Sequence, residues 1–164
     1  MTNLEKIKSK IYNLKQLQTV VKKWKKCGEK VVFSNGCFDI IHRGHIEILA
    51  HSADLGSRLI IGINSDESVK NLKGKNRPII KEDSRSILLA SLDFIDAVIL
   101  FSEETPYNLI KTLQPDILAK GGDYSLKSVV GHEIVKENGG EVVLVPFIQG
   151  YSSTSIIEKI KKLQ

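Results

Sequence analysis

The sequence predicts an α/β fold: one five-stranded parallel sheet, covered on both faces by helices to give a three-layer sandwich, and preceded by a basic N-terminal helical segment. Three observations predict it. Short apolar runs recur at 30–34, 58–64, 96–101, 116–120 and 141–147. A stretch with helical spacing or a helix-starting residue follows each run. The runs are apolar throughout rather than alternating, as strands buried on both faces are. With 164 residues the chain suits one domain with a sizeable core, and 41% hydrophobic and 26% charged residues are ordinary for a soluble globular protein.

Residues 1–28 form the helical segment that precedes the domain of residues 29–164. Leu4, Ile7, Ile11 and Leu14 recur at helical spacing, continued by Leu17, Val21 and Trp24. Thr2 and Glu5 have the spacing of a capping box. Asn13 offers a cap for a second helix, so the segment is one helix or two. Gly28 is a helix stop. "KVVFS" (30–34) is then the first strand and "GHIEILAHSADLG" (44–56) a helix. "RLIIGIN" (58–64) is the second strand, and the polar "SDESVKNL" (65–72) a short helix. A basic loop, "LKGKNRP", leads to the helix "EDSRSILLASL" (82–92) and the third strand "DAVILF" (96–101). Pro106 opens the helix "PYNLIKTL". "DILAK" (116–120) is the fourth strand, "SVVGHEIVKENGG" (128–140) is helical up to its glycines, and "EVVLVPF" (141–147) is the fifth strand. "STSIIEKIKKL" (153–163) closes the chain as a helix.

Charge and composition exclude several classes. Residues 1–30 hold nine Lys and two Glu, a surplus of seven positive charges, and the rest of the chain sums to −2. The basic character belongs to one segment, which argues against a nucleic-acid-binding face and fits a helix with a solvated lysine face, with a helix lying on a membrane surface or against a partner as the alternative. No apolar run approaches the ~20 residues of a membrane span and the N-terminus lacks a signal-peptide core, so a cytoplasmic protein without stable membrane insertion is expected. Cys27 and Cys37 form neither a CxxC pair nor a disulfide framework. GxGxxG after the first strand and the Walker A sequence are both absent, which excludes the usual dinucleotide-binding dehydrogenase and the P-loop kinase.

Polar residues collect where the strands end. Asn35, Gly36, Phe38, Asp39, His42 and His45 follow the first strand, and Asn64, Ser65 and Asp66 the second. Lys120, Gly121, Gly122, Asp123 and Tyr124 close the fourth, and Gly150 to Ser155 follow the fifth. In a parallel sheet these all lie on one rim, where ligands bind. In "HRGH", Gly44 lets the backbone approach a ligand and His45 falls at a helix start, where free N–H groups favour an anion. A zinc helix would place its histidines four apart with a carboxylate partner; here the spacing is three. Two structural histidines have the same sequence. "YSSTSIIEKI" combines hydroxyls with a helix start, which serves either as a cap or as a phosphate hold. Lys73, Lys75 and Arg77 make a basic loop that is either solvated or swings over the rim. Arg85, in an otherwise apolar helix, is a surface ion pair or points to a nucleotide.

His42-Arg43-Gly44-His45 after the first strand and Ser152-Ser153-Thr154-Ser155 before the last helix resemble the two signatures of the HIGH-motif nucleotidylyltransferase superfamily. That resemblance implies a Rossmann-like core and transfer of a nucleotidyl group from an NTP with release of pyrophosphate. The stretches "VVFSNGCFDIIHRGHIEIL", "NLKGKNRPI", "KGGDY", "NGGEVVLVPF" and "YSSTSIIEKI" look like the adenylyltransferases that make ADP-heptose from D-glycero-D-manno-heptose 1-phosphate. In many bacteria that activity is the C-terminal half of a bifunctional kinase–adenylyltransferase; a stand-alone version is expected here. The resemblance spans residues 14–163. It implies that His42, His45 and Lys73 act on the transferring phosphoryl group. Asn35, Gly36, Phe38, Gly44, Arg85, Gly121, Gly122, Asp123, Ser152, Ser153 and Thr154 would bind the nucleotide, and Asp39, Arg77 and Tyr124 the sugar phosphate. ATP is the implied co-substrate, Mg2+ is held by phosphates rather than side chains, and a homodimer working on small molecules is expected. Surface glycan or lipopolysaccharide biosynthesis is the implied setting. A cytidylyltransferase for glycerol 3-phosphate or an amino-alcohol phosphate shares the core and a similar HxGH, and is the alternative. A non-enzymatic nucleotide-binding regulator is the second.

Overall fold

Two capping boxes divide the N-terminal segment. In this computed structural model, which describes residues 1–122, 125–146 and 150–163, Thr2 Oγ1 accepts from the Glu5 N–H and the Glu5 carboxylate accepts from the Thr2 N–H. This opens α1 (Asn3–Lys8). Asn13 and Gln16 repeat the device to open α2 (Leu14–Lys26). Between them Ile11–Tyr12 form β1, which pairs in parallel with Val98 and Ile99 of β4 (Ala97–Phe101). The sheet therefore has six parallel strands, one more than the sequence predicts. A two-residue strand is too short to show a period, and Ile11 also falls in helical register with Ile7 and Leu14.

The other strands are β2 (Val31–Gly36), β3 (Arg58–Asn64), β5 (Ile117–Gly121) and β6 (Glu141–Val145), in the order β1-β4-β3-β2-β5-β6. The chain steps outward from β2 to β3 to β4, then returns to the opposite side of β2 for β5 and β6. Strand order thus reverses between β2 and β5, where a parallel sheet leaves a crevice at its carboxyl edge.

Alternate residues of the strands feed two apolar layers. Val31, Phe33, Ile60, Ala97, Ile99 and Leu118 meet Leu17 and Val21 of α2, Leu109, Ile110 and Leu113 of α6 (Tyr107–Leu113), and Val135 of α7 (His132–Glu137). Val32, Leu59, Ile61, Ile63, Val98 and Ala119 meet Leu49 of α3 (Arg43–Ala53) and Leu89 and Ala90 of α5 (Glu82–Ala90). The remaining helices, α4 (Asp66–Lys73) and α8 (Ser153–Lys161), stand at the carboxyl edge. On α2, Leu17 and Val21 face the core while Lys22, Lys23, Lys25 and Lys26 are exposed, as a solvated lysine face requires.

α7 is shorter than the helix predicted over 128–140. Leu126–Ser128 form a 3-10 turn, and Gly131, at φ +85°, is a left-handed residue that starts the helix rather than sitting inside it. Phe147, the last residue of the predicted fifth strand, lies outside the described residues. Among the described residues no helix is long and apolar enough to cross a membrane.

Candidate active site

The site is built where β2 ends. After Asn35 and Gly36 the chain passes through Cys37 to Phe38, a buried residue at φ +47°. This left-handed conformation is unfavourable for a side chain with a Cβ, and persists only where the surroundings impose it. It brings Asp39 under the rim and leads to His42, the N-cap of α3.

The His42 side chain does not cap α3. The first N–H groups of the helix and the positive end of its dipole are therefore available to an anion. Gly44 is required by crowding: a Cβ there would lie 3.0 Å from Tyr151 Cβ and 3.2 Å from the His42 ring. The His42 and His45 imidazoles stack with centroids 3.8 Å apart, and Phe38 meets His45 edge-on at 5.3 Å. The Nδ1 atoms of both histidines are buried and lack a hydrogen-bond partner among the described residues. Burial lowers the pKa of both. His45 reaches about 4, pushed further by His42 and Lys73, while the Ile40 carbonyl pulls weakly the other way. Both rings are thus neutral near pH 7, each with one N–H to donate and one orphaned polar atom. That arrangement suits a ligand rich in acceptors.

His45 faces a cavity of about 190 Å³, lined also by Asn35, Gly36, Phe38, Lys73, Gly121 and Ser153. A larger cavity of about 360 Å³ shares Asn35, Gly36, Cys37, Lys73 and Lys120 with it, and extends past Asn64, Thr105 and Ser128. Both open at the β2/β5 reversal. The family model described as "Cytidylyltransferase-like" matches residues 33–159. The chain belongs to the cytidylyltransferase-like family.

Its curated relatives include the bifunctional protein HldE of Citrifermentans bemidjiense, 51% identical over 152 residues, which are 93% of this chain and 31% of that protein. The HldE protein of Geobacter sulfurreducens is 49% identical over 154 residues, 94% of this chain and 31% of that protein. The chain thus spans about a third of the length of these relatives. Among solved structures it is similar to a lipopolysaccharide core biosynthesis protein from Thermoplasma volcanium. The TM-score is 0.62 and the identity 28%, covering 76% of this chain and all of that one. The fold is also that of the pantoate-beta-alanine ligase of Francisella tularensis, with TM-score 0.62 and identity 18% over 92% of this chain and 76% of that one.

In this cytidylyltransferase-like chain the two signatures meet. Ser153 Oγ donates to the Ile40 carbonyl at 3.1 Å, tying α8 to the loop before α3, and Tyr151 stacks on His42 with centroids 6.3 Å apart. Ser152 Oγ accepts from the Ser155 N–H at 3.0 Å and caps α8. Ser152 and Ser153 are therefore engaged within the protein, while Thr154 is exposed. Gly121 lines the smaller cavity, and Gly122 follows at φ +121°. Asp123 and Tyr124 lie outside the described residues.

Two predicted ligand residues are engaged within the protein. Arg85, which the resemblance assigns to the nucleotide, is fully buried. Its Nε donates to the Ile80 carbonyl, Nη1 to the Cys37 and Asn64 carbonyls, and Nη2 to Asp66 Oδ1 at 2.8 Å. It binds the loops after β2 and β3 together and lines neither cavity. Asp39, assigned to the sugar phosphate, is 1% exposed and accepts from Arg77 Nε and from the Ile79 and Ile80 N–H groups. It braces the basic loop, and Arg77 is held in that ion pair with one Nη2 left buried and unpartnered among the described residues.

Burial pushes the Asp39 pKa up, but the Ile80 N–H, Arg77 and the Ile79 N–H together outweigh it and hold the carboxyl below its ordinary range. The stability it contributes is complete above the unfolded value of about 3.9 and is lost as pH falls through the lower folded value. Asp39→Asn is expected to lower Tm at pH 7 and to flatten the decline of Tm below about pH 4, as read by calorimetry. An equally steep decline in the variant would mean that other carboxylates govern it.

Lys120, Cys37 and Tyr151 line or pack on the site and carry no sequence-derived role. The signal that finds Lys120 is its position, the last charged residue of a strand at the carboxyl edge.

Proposed function

We propose that this chain transfers AMP from ATP to D-glycero-D-manno-heptose 1-phosphate, giving ADP-heptose and pyrophosphate, and that it does so in the cytoplasm for surface glycan synthesis. The observation that carries nucleotidyl transfer is the neutral histidine pair, its buried Nδ1 atoms unpartnered among the described residues, at the start of α3 in the crevice. The heptose assignment rests on the longer sequence stretches around both signatures. Similarity to a lipopolysaccharide core biosynthesis protein supports the glycan setting.

The chemistry is an in-line displacement. A phosphate oxygen of the sugar 1-phosphate forms a bond to the α-phosphorus, the bond from that phosphorus to the bridging oxygen breaks, and the electron pair leaves with pyrophosphate. The nucleophile is already ionised near neutral pH, so no general base is needed. What the reaction requires is positioning and charge stabilisation. His42 and His45 donate N–H groups to the α-phosphoryl oxygens, the first turn of α3 adds backbone N–H groups, and Lys73 adds a cation. Mg2+ bound to the triphosphate would supply further neutralisation. Asp39, a carboxylate lining the smaller cavity, is committed to Arg77. We read the ion as carried by the phosphates and water.

A panel of four NTPs against heptose 1-phosphate and glycerol 3-phosphate, read by pyrophosphate release, tests the proposal. ATP with heptose 1-phosphate is expected to be the productive pair. CTP with glycerol 3-phosphate as the productive pair would replace it with the cytidylyltransferase reading. ATP binding without pyrophosphate release on any acceptor would make the chain a nucleotide-binding regulator.

A further inference from the structure

The two cavities differ in chemistry. The smaller presents His45, Ser153 and Gly121. The larger has no histidine; it is lined by Asn64, Glu104, Thr105 and Ser128 together with apolar Pro106 and Val129. Side-chain amide, carboxylate and hydroxyl groups beside apolar surface suit a polyhydroxylated acceptor better than a polyphosphate. The wall common to both carries two cations, Lys73 and Lys120. Lys73 ends α4 and is exposed, whereas Lys120 belongs to β5. Lys120 Nζ is directed to Asn35, 3.3 Å from Oδ1 and 3.5 Å from the carbonyl oxygen, across the β2/β5 reversal.

We propose that Lys120 is a catalytic residue of the transfer, its ammonium lying between the two cavities and touching both the acceptor phosphate and the α-phosphoryl group. This rests on the nucleotidyl-transfer reading and adds to it a residue and a direction of approach: nucleotide from the histidine side, sugar phosphate from the side of Asn64 and Thr105. Two anions must come within bonding distance at that wall, and their repulsion strengthens as the arriving ligands displace water. A cation fixed there lowers the barrier without moving a proton. The displacement balances as written above, and Lys120 stays an ammonium throughout. Burial holds the Lys120 pKa below the usual lysine value, with Cys37 acting in the opposite sense. An arriving phosphate favours the charged form, so the group is matched to the loaded site.

The test uses the full chain. Lys120→Met is expected to lower kcat about 100-fold, the scale of losing one preorganised charge-stabilising group, and to raise KM for the sugar phosphate, with ATP affinity changed less than about tenfold. Lys120→Gln keeps an N–H donor for Asn35 but no charge, and should be as slow as Lys120→Met. Recovery of turnover in Lys120→Gln would overturn the assignment, since the tie to Asn35 would then suffice. A loss of ATP affinity as large as the loss of kcat would also overturn it, because Lys120 would then serve the nucleotide alone. A wild-type chain silent toward every acceptor sinks the functional reading by itself. Inorganic phosphate then judges Lys120 without turnover. Calorimetric titration of phosphate into protein saturated with α,β-methylene-ATP should show at least tenfold weaker binding in Lys120→Met. Unchanged phosphate affinity refutes the role of Lys120 whatever the wild type turns over.

Discussion

His45→Ala is expected to lower turnover by about 10²–10³-fold, the effect of removing one donor aimed at developing charge, while the fold survives. The ring sits at the cavity wall between His42 and Phe38, and its Nδ1 makes no bond to the described protein. Deleting it removes ring packing and a weak interaction with the Ile40 carbonyl, a loss the fold should tolerate. Because burial keeps the imidazole neutral down to about pH 4, what is lost is a hydrogen-bond donor rather than a fixed positive charge. ATP affinity should fall much less than kcat, since a group that acts mainly in the transition state shows in kcat. Steady-state kinetics with calorimetric ATP binding and a melting curve check this. Intact turnover with a lowered Tm would make His45 a structural residue.

Arg85→Met is expected to be the most damaging single change to stability. Arg85 is fully buried and donates to three backbone carbonyls and the Asp66 carboxylate. Methionine fills much of the volume but leaves all four acceptors without their donor. Breaking a buried, hydrogen-bonded ion pair from one side costs about 3–5 kcal/mol, which in a chain of this size lowers Tm by about 6–20 °C. Arg85→Lys should recover little, because an ammonium cannot match the planar fork that reaches the Ile80, Cys37 and Asn64 carbonyls together. Urea unfolding and melting curves provide the measurement. A near-normal Tm with lost ATP affinity would return Arg85 to the nucleotide.

Arg85 also shows where sequence reading stops. A lone arginine in "EDSRSILLASL" looks the same whether it points to solvent, to a ligand or beneath a loop, and only the packing of α5 under the β2 and β3 ends decides it. β2 to β6 are legible because each is an apolar run bounded by turn residues. The helices carrying His45 and Ser153 are legible because small or hydroxyl residues precede apolar periodicity. β1 is not, because Ile11 and Tyr12 gain their meaning only from Val98 and Ile99 across the sheet. The meeting of the two signatures follows from strand position. The shared cavity wall does not, since it depends on β5 lying beside β2, and local periodicity says nothing of strand order. Lys120 is unremarkable in "DILAKGGDY" for that reason.

The two helices that flank the smaller cavity begin differently: α8 on the Ser152 cap, α3 on an extended histidine whose side chain does not cap it. Added to two orphaned imidazole nitrogens and a left-handed Phe38, this concentrates local frustration in the stretch from Phe38 to His45. The ligand-free protein is thus least contented where it is most specific. Under the proposed function, nucleotide phosphates seated there should tighten that stretch more than any other part of the fold, and protection of its amides from hydrogen exchange would follow nucleotide concentration.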